Sequence, residues 1–149
     1  MDTWIHQLSS TARQNKKQAS TVEEEKQMES IRACSEELTG MFDELMGTIN
    51  GRSDLKVEKV KSNKHVKYFY GVSELIIESG EIFTRKGFLE MNFKIRINDS
   101  AYNVSDVRPR SAYLKDLNSC RWETETGTVF NEEQASILFK QALLPYIEE

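Results

Sequence analysis

Apolar side chains recur at alternating steps of three and four residues between Met28 and Ile49. That spacing keeps them on one stripe of an α-helix. The stripe is wider than the seam of a two-stranded coiled coil, which favours packing against a sheet. Its members are Met28, Ile31, Ser35, Leu38, Phe42, Leu45 and Ile49, with Cys34 and Met41 beside them.

Local signals predict where this helix begins and ends. Ser20 and Thr21 are good N-cap residues, and acidic residues follow three positions later, as in a capping box. At the other end, Asn50 and Gly51 both tolerate positive φ and favour a stop. We expect a helix over residues 21–48, about 40 Å long at 1.5 Å per residue. Because this exceeds the usual helix length, part of it should project beyond the domain or kink near Gly40.

The stretch before that helix is the most polar of the chain. Residues 9–21 contain two alanines and no larger apolar residue, so they cannot bury much surface. Ahead of them, Trp4, Ile5 and Leu8 have no obvious partner within the chain. We therefore predict that residues 1–20 form a loosely held helical arm and that residues 21–149 form a single domain.

Beyond Asp54 the apolar period changes from helical to two, which is typical of β-strands. The clearest strand is Leu89 to Ile97, whose clean alternation predicts one buried and one solvated face. A turn then leads into a strand over residues 101–107, with Tyr102 and Val104 inward, before a loop to Ser119. The other expected strands are a short one around residues 55–60, one over 65–72, one over 75–87 interrupted at Ser79–Gly80, and one over 120–125.

A capping signal also marks the start of a last helix. Asn131 is a good N-cap residue, Gln134 completes the capping box, and Pro145 ends the apolar periodicity. The order of elements predicts an α+β fold with a long N-terminal helix, an antiparallel sheet of five or six strands, and a C-terminal helix on the same face. The expected core is Ile31, Leu38, Phe42, Leu45, Phe69, Ile76, Met91, Phe93, Ile95, Tyr102, Trp122, Leu138 and Phe139.

Charge divides the 149 residues into three parts. Residues 1–50 carry 5 basic and 9 acidic groups, residues 51–121 carry 14 and 9, and residues 122–149 carry 1 and 6. The sheet is therefore basic and both helical ends are acidic. With 7 Gly and 2 Pro the chain is not collagen-like or proline-rich, and its aromatic residues argue against wholesale disorder.

The two cysteines, Cys34 and Cys120, do not form the dense framework of small secreted domains. The N-terminus has no basic segment followed by an apolar run, so no signal peptide is predicted. No window approaches the length of a membrane span. These features predict a cytoplasmic protein with reduced thiols and no membrane partner.

Motifs for catalysis, metals and cofactors are missing from the sequence. There is no phosphate loop, dinucleotide fingerprint, zinc helix or nucleophile elbow. With only His6 and His65, a histidine-rich metal site cannot be assembled in one chain. A cysteine nucleophile beside His65 has no local support, and a structural cysteine is the commoner case. We expect no catalytic residue, no metal and no cofactor.

A basic stretch runs from Lys56 to Lys67 directly before Tyr68-Phe69-Tyr70. Basic residues beside aromatics are typical of surfaces that bind single-stranded nucleic acid. The candidate residues are Lys59, Lys61, Lys64, Lys67, Tyr68 and Tyr70. The competing interpretation is a solvated hairpin, because alternate residues of a strand face opposite sides and the chain as a whole is acidic.

A third possibility is a small-molecule pocket in a curved sheet, lined by Tyr102, Arg121 and Glu123. The simpler interpretation of Arg121 and Glu123 is an exposed strand face with cross-strand ion pairs.

The leading hypothesis is a non-enzymatic protein-interaction or regulatory module of the chaperone, inhibitor or adaptor kind. It rests on the missing catalytic motifs and on Trp4, Ile5 and Leu8, the predicted interaction residues. Apolar groups at the end of an arm need another surface, which favours a homodimer or a second protein as partner.

Overall fold

The architecture is taken from a computed structural model. It describes the backbone of residues 3–102 and 106–147 and the side chains of residues 23–102 and 106–147. The elements are α1 (Thr3–Arg52), β1 (Glu58–Lys61), β2 (His65–Tyr70), β3 (Ser73–Ile82), β4 (Leu89–Ile97), β5 (Ser111–Asp116), β6 (Arg121–Thr124), α2 (Glu132–Ala142) and α3 (Leu144–Ile147). The predicted α+β class is confirmed.

Helix α1 is a single helix of 50 residues. It does not begin at the predicted cap, because Ser20 and Thr21 lie inside it. The flanking Ala, Gln, Lys and Glu residues are good helix formers, and a capping motif does not by itself stop a helix from extending past it. The division between an arm over residues 1–20 and a domain over residues 21–149 stays a prediction.

The six strands form one antiparallel meander in which every strand pairs with its neighbour in sequence. The boundaries predicted for β4 are confirmed. Of the strand predicted over residues 101–107, the described residues 101, 102, 106 and 107 do not lie in a strand, and residues 103–105 lie outside the described part of the chain. Ala101 N–H donates to Asp99 Oδ1 at 3.0 Å and Tyr102 N–H donates to the Asp99 carbonyl at 3.1 Å, so this segment begins in a turn. Val104 lies outside the described residues. The missed strand is β5, in the predicted loop.

The strand register decides which side chains form the core. Tyr68 lies opposite Leu75, and Val66 lies opposite Ile77, so these four share one face. Phe69 lies opposite Glu74 on the other face. Tyr68 is therefore the buried residue, at 1% exposure, and the prediction of Phe69 in the core is wrong. Most other expected core residues are buried, whereas Leu45 and Tyr102 are only partly buried.

Phe42 of α1 sits at the centre of this core. Its ring lies about 6 Å from those of Tyr68, Phe93, Phe130 and Phe139, at 6.0, 5.9, 6.0 and 5.8 Å respectively. Such aromatic pairs add to the stabilisation that burial alone gives. Since Phe139 belongs to α2, these contacts favour the prediction that both helices cover one face of the sheet, which stays a prediction.

The C-terminal helix α2 begins where the sequence predicts. Asn131 is its N-cap residue, and its side-chain oxygen accepts hydrogen bonds from the N–H groups of Glu133 and Gln134. The bonds satisfy two of the donors left free at a helix start. The short helix α3 follows and carries Tyr146, whose hydroxyl accepts from Val72 N–H at 2.9 Å.

The prediction of reduced thiols is wrong, because Cys34 and Cys120 form a disulfide with their Cα atoms 5.0 Å apart. The bridge joins α1 to the turn between β5 and β6. Beside it, Trp122 Nε1 donates to the Cys34 carbonyl at 3.2 Å. Local sequence gave no sign of this bridge, since its cysteines are 86 residues apart.

Candidate interaction surface

The sheet has one end at which α1 leaves the domain, here called the exit end. It is formed by the β1–β2 turn, the β3–β4 turn over residues 83–88, and the β5–β6 turn that carries Cys120. Ile31 is the first buried residue of α1 among those with described side chains, and residues 23–29 are all exposed. The helix continues to Thr3, so about 40 Å of α1, at 1.5 Å per residue, precedes Ile31.

A groove of about 390 Å³ lies at the exit end between α1 and the sheet. Its floor is apolar and includes Ile31, Val66 and Met91, all buried. Two apolar side chains on its rim are more open: Met28 is 42% and Ile82 is 43% exposed. Met28 is exposed because the sheet ends before reaching it.

The polar rim of this groove carries mostly positive charge. Its basic residues are Arg32 of α1 and Lys61 and Lys64 of the β1–β2 hairpin. The rim has one carboxylate, that of Glu36. On α1 directly before the groove, Glu23, Glu24, Glu25 and Glu29 are exposed. The exit end therefore brings a basic rim next to an acidic helix segment.

The β3–β4 turn adds an exposed aromatic ring to the same end. Phe83 is 53% exposed and has a positive φ of 58°, which bulky residues rarely adopt. The turn is held by the Thr84 hydroxyl, which accepts from Lys86 N–H and Gly87 N–H, both at 3.1 Å. A Cβ on Gly87 would lie 2.5 Å from the Leu114 carbonyl oxygen, so only glycine fits there.

The predicted nucleic-acid residues do not form one surface. Lys59 pairs with Asp43 at 2.9 Å, and Lys67 pairs with Glu74 at 3.4 Å across β2 and β3. The β1–β2 register places Lys59 and Lys67 on opposite faces of the sheet. Only Lys61 and Lys64 reach the groove.

The aromatic part of that prediction needs correcting. Tyr68 is buried at 1% exposure, so its ring cannot stack on a base. Its hydroxyl donates to Asp43 Oδ1 at 2.6 Å. Burial, and then the Asp43 carboxylate, raise the pKa of Tyr68 well above its usual range. Tyr70 packs edge-on against Tyr146, with ring centroids 4.8 Å apart. Both tyrosines therefore hold the fold together.

This arrangement predicts the outcome of a binding experiment with single-stranded oligonucleotides. We expect no detectable binding at 50 mM salt, because two of the lysines are paired and Tyr68 is buried. Phosphate contacts are strongest at low salt, so this condition favours binding. Fluorescence anisotropy with a labelled 20-mer measures it. Binding that weakens with salt and is lost in Lys61→Glu/Lys64→Glu would contradict the prediction.

The structure does not bring together the residues of the predicted small-molecule pocket. Arg121 Nε lies 3.1 Å from Glu123 Oε2, but both residues belong to β6, so the ion pair runs along one strand and not across two strands as the simpler interpretation expects. Tyr102 lies in the turn after β4, and β5 separates β4 from β6.

The sheet face opposite α1 carries paired charges. Lys94 pairs with Glu78 at 3.1 Å, and Arg96 lies 3.7 Å from Glu74. Within the described part of the chain, no three His, Cys, Asp or Glu side chains are grouped to hold a metal ion. The same residues include no helix that is apolar enough, over sufficient length, to span a membrane.

The predicted interaction residues Trp4, Ile5 and Leu8 fall in α1, before the described side chains. Sequence reasoning missed the groove, which is built from three separate parts of the chain.

Comparison with known proteins adds no relative: the chain matches no protein-family model, no curated protein and no solved structure. A function therefore has to be argued from the geometry.

Proposed function

We propose that this protein is a non-enzymatic, self-associating interaction module of the chaperone, inhibitor or adaptor kind, which uses the N-terminal part of α1. The observation that carries the proposal is that α1 extends about 40 Å, at 1.5 Å per residue, beyond its first described buried side chain. Residues 23–29, where this extension begins, are all exposed.

Helix energetics support a partner for this segment. Most of the stability of a helix in a protein comes from packing one face, and isolated helices are marginal in water. Residues 9–21 carry no large apolar residue, so intrinsic propensity alone has to hold them. Packing of Trp4, Ile5 and Leu8 against another chain would supply stabilising contacts at the far end of this segment. A second copy is the simplest partner, because most soluble oligomers are symmetric assemblies of one chain.

The fold gives less support to two other expectations. Nucleic-acid binding has less support, because Tyr68 is buried and cannot stack on a base. In addition, Lys59 and Lys67 are already paired with carboxylates. The cytoplasmic location stays a prediction. The Cys34–Cys120 disulfide counts against it, because disulfides are rare in the reducing cytosol.

The proposal predicts that Trp4→Ser/Ile5→Ser/Leu8→Ser converts a dimer into a monomer without unfolding the domain. The substitutions remove apolar groups from the start of α1, far from the disulfide and from Phe42. Light scattering coupled to gel filtration measures the mass, and circular dichroism verifies that the chain keeps its helix and sheet content.

The matched control is Ile137→Ser on α2, which removes a side chain 43% exposed at a site away from α1. It should leave the mass of the dimer unchanged. If the triple variant keeps the mass of the wild type, the start of α1 is not the interaction surface.

A further inference from the structure

We infer that the second copy docks antiparallel along α1, with Met28 of each copy inserted at the groove of the other. This inference rests on the proposed function and specifies its surface. Met28 and Ile82 expose apolar surface at the groove, since their side chains are 42% and 43% exposed. An apolar patch with a charged rim is typical of an interaction site.

Charge complementarity selects a second copy as the occupant. The rim of the groove carries the basic residues Arg32, Lys61 and Lys64. The segment Glu23–Glu29 of α1 carries four carboxylates and one basic residue, Lys26. Lys61, Lys64, Glu24 and Glu25 are all exposed, and none belongs to an ion pair among the described residues. Each copy thus carries both halves of a complementary contact, as an isologous twofold interface needs.

A twofold axis near Met28 brings these halves into register. In an antiparallel pair of helices that crosses there, Glu24 of one copy lies opposite Arg32 of the other, since each is four residues from Met28. Glu25 then faces the β1–β2 hairpin beside Arg32. A parallel pair would instead place the acidic segments of the two copies against each other, which is repulsive.

Two glycines of α1 provide room for the partner helix. A Cβ built on Gly40 or Gly47 meets nothing within 4 Å in the described structure. Packing within the chain therefore does not require glycine at either position, whereas a closely approaching helix benefits from both.

A charge-exchange experiment in the full chain tests the register. Glu24→Lys/Glu25→Lys and Lys61→Glu/Lys64→Glu each create like-charge contacts at both symmetric sites. We expect the dissociation constant of each variant dimer to be about 100-fold higher than that of the wild-type dimer. Mixing the two should restore the dimer, because opposite charges then face each other at both sites. Sedimentation equilibrium gives the masses.

Two further variants complete the test. Lys140→Glu, an exposed charge reversal on α2, should leave the dimer intact. Gly47→Leu improves helix propensity, and a Cβ at this position has open space around it, so the variant should fold and yet weaken the dimer.

The outcomes separate the inference from the proposed function. If both charge variants and Gly47→Leu stay dimeric while Trp4→Ser/Ile5→Ser/Leu8→Ser is monomeric, antiparallel docking is wrong and the interaction module stands. If the variants are monomeric but their mixture does not dimerise, the register is wrong. A monomeric wild type overturns both.

Discussion

Phe42→Ala is expected to lower the free energy of unfolding by about 4 kcal/mol, within the range for large core truncations. The Phe42 side chain is 0% exposed and contacts four aromatic rings from β2, β4, α2 and the segment before α2. These neighbours come from separate elements, so the cavity cannot close by moving one of them. This loss is large beside the usual stability of a domain of this size.

Chemical denaturation followed by tryptophan fluorescence measures this effect, because Trp122 is buried at 1% exposure. Phe83→Ala is the matched control. It removes the same ring from a position that is 53% exposed, and it should change the free energy of unfolding by less than about 0.5 kcal/mol. Equal losses in the two variants would mean that Phe42 is not at the centre of the core.

Cys34→Ala/Cys120→Ala is expected to cost about 3 kcal/mol of stability. A bridge that closes a long loop restricts the unfolded chain, and this one spans 86 residues. It also fastens α1 to the β5–β6 turn at the exit end. For a chain of this length the loss corresponds to a fall of about 10 °C in the midpoint of thermal unfolding.

Reductant provides the internal control for that experiment. It should lower the midpoint of thermal unfolding of the wild type by a similar amount and leave the midpoint of the variant unchanged. A thiol assay on wild type unfolded without reductant should detect no free thiol. Two thiols per chain in that assay would contradict the disulfide.

Strong local periodicity explains which elements could be predicted. The stripe from Ile31 to Phe42 and the alternation of β4 identify a buried face by themselves, and Asn131 marks the start of α2. Tyr68-Phe69-Tyr70 has no such pattern, since three consecutive aromatics fit either face of a strand. Only pairing with β3, which places Tyr68 opposite Leu75, decides between them.

The remaining differences have non-local causes. The strand β5 was missed because Ser111, Lys115 and Asp116 surround its few apolar residues. The disulfide depends on α1 and the β5–β6 turn meeting at the exit end. The groove depends on the point at which the sheet stops covering α1, so that Met28 is exposed whereas Ile31, Leu38 and Phe42 on the same stripe are buried.

The mass of the full chain in solution tests the central claim most directly. Sedimentation equilibrium over a hundredfold range of concentration should give twice the chain mass of 17.2 kDa at the upper end, returning towards the chain mass on dilution. Self-association through α1 predicts that result. A mass of 17.2 kDa throughout the range would contradict it.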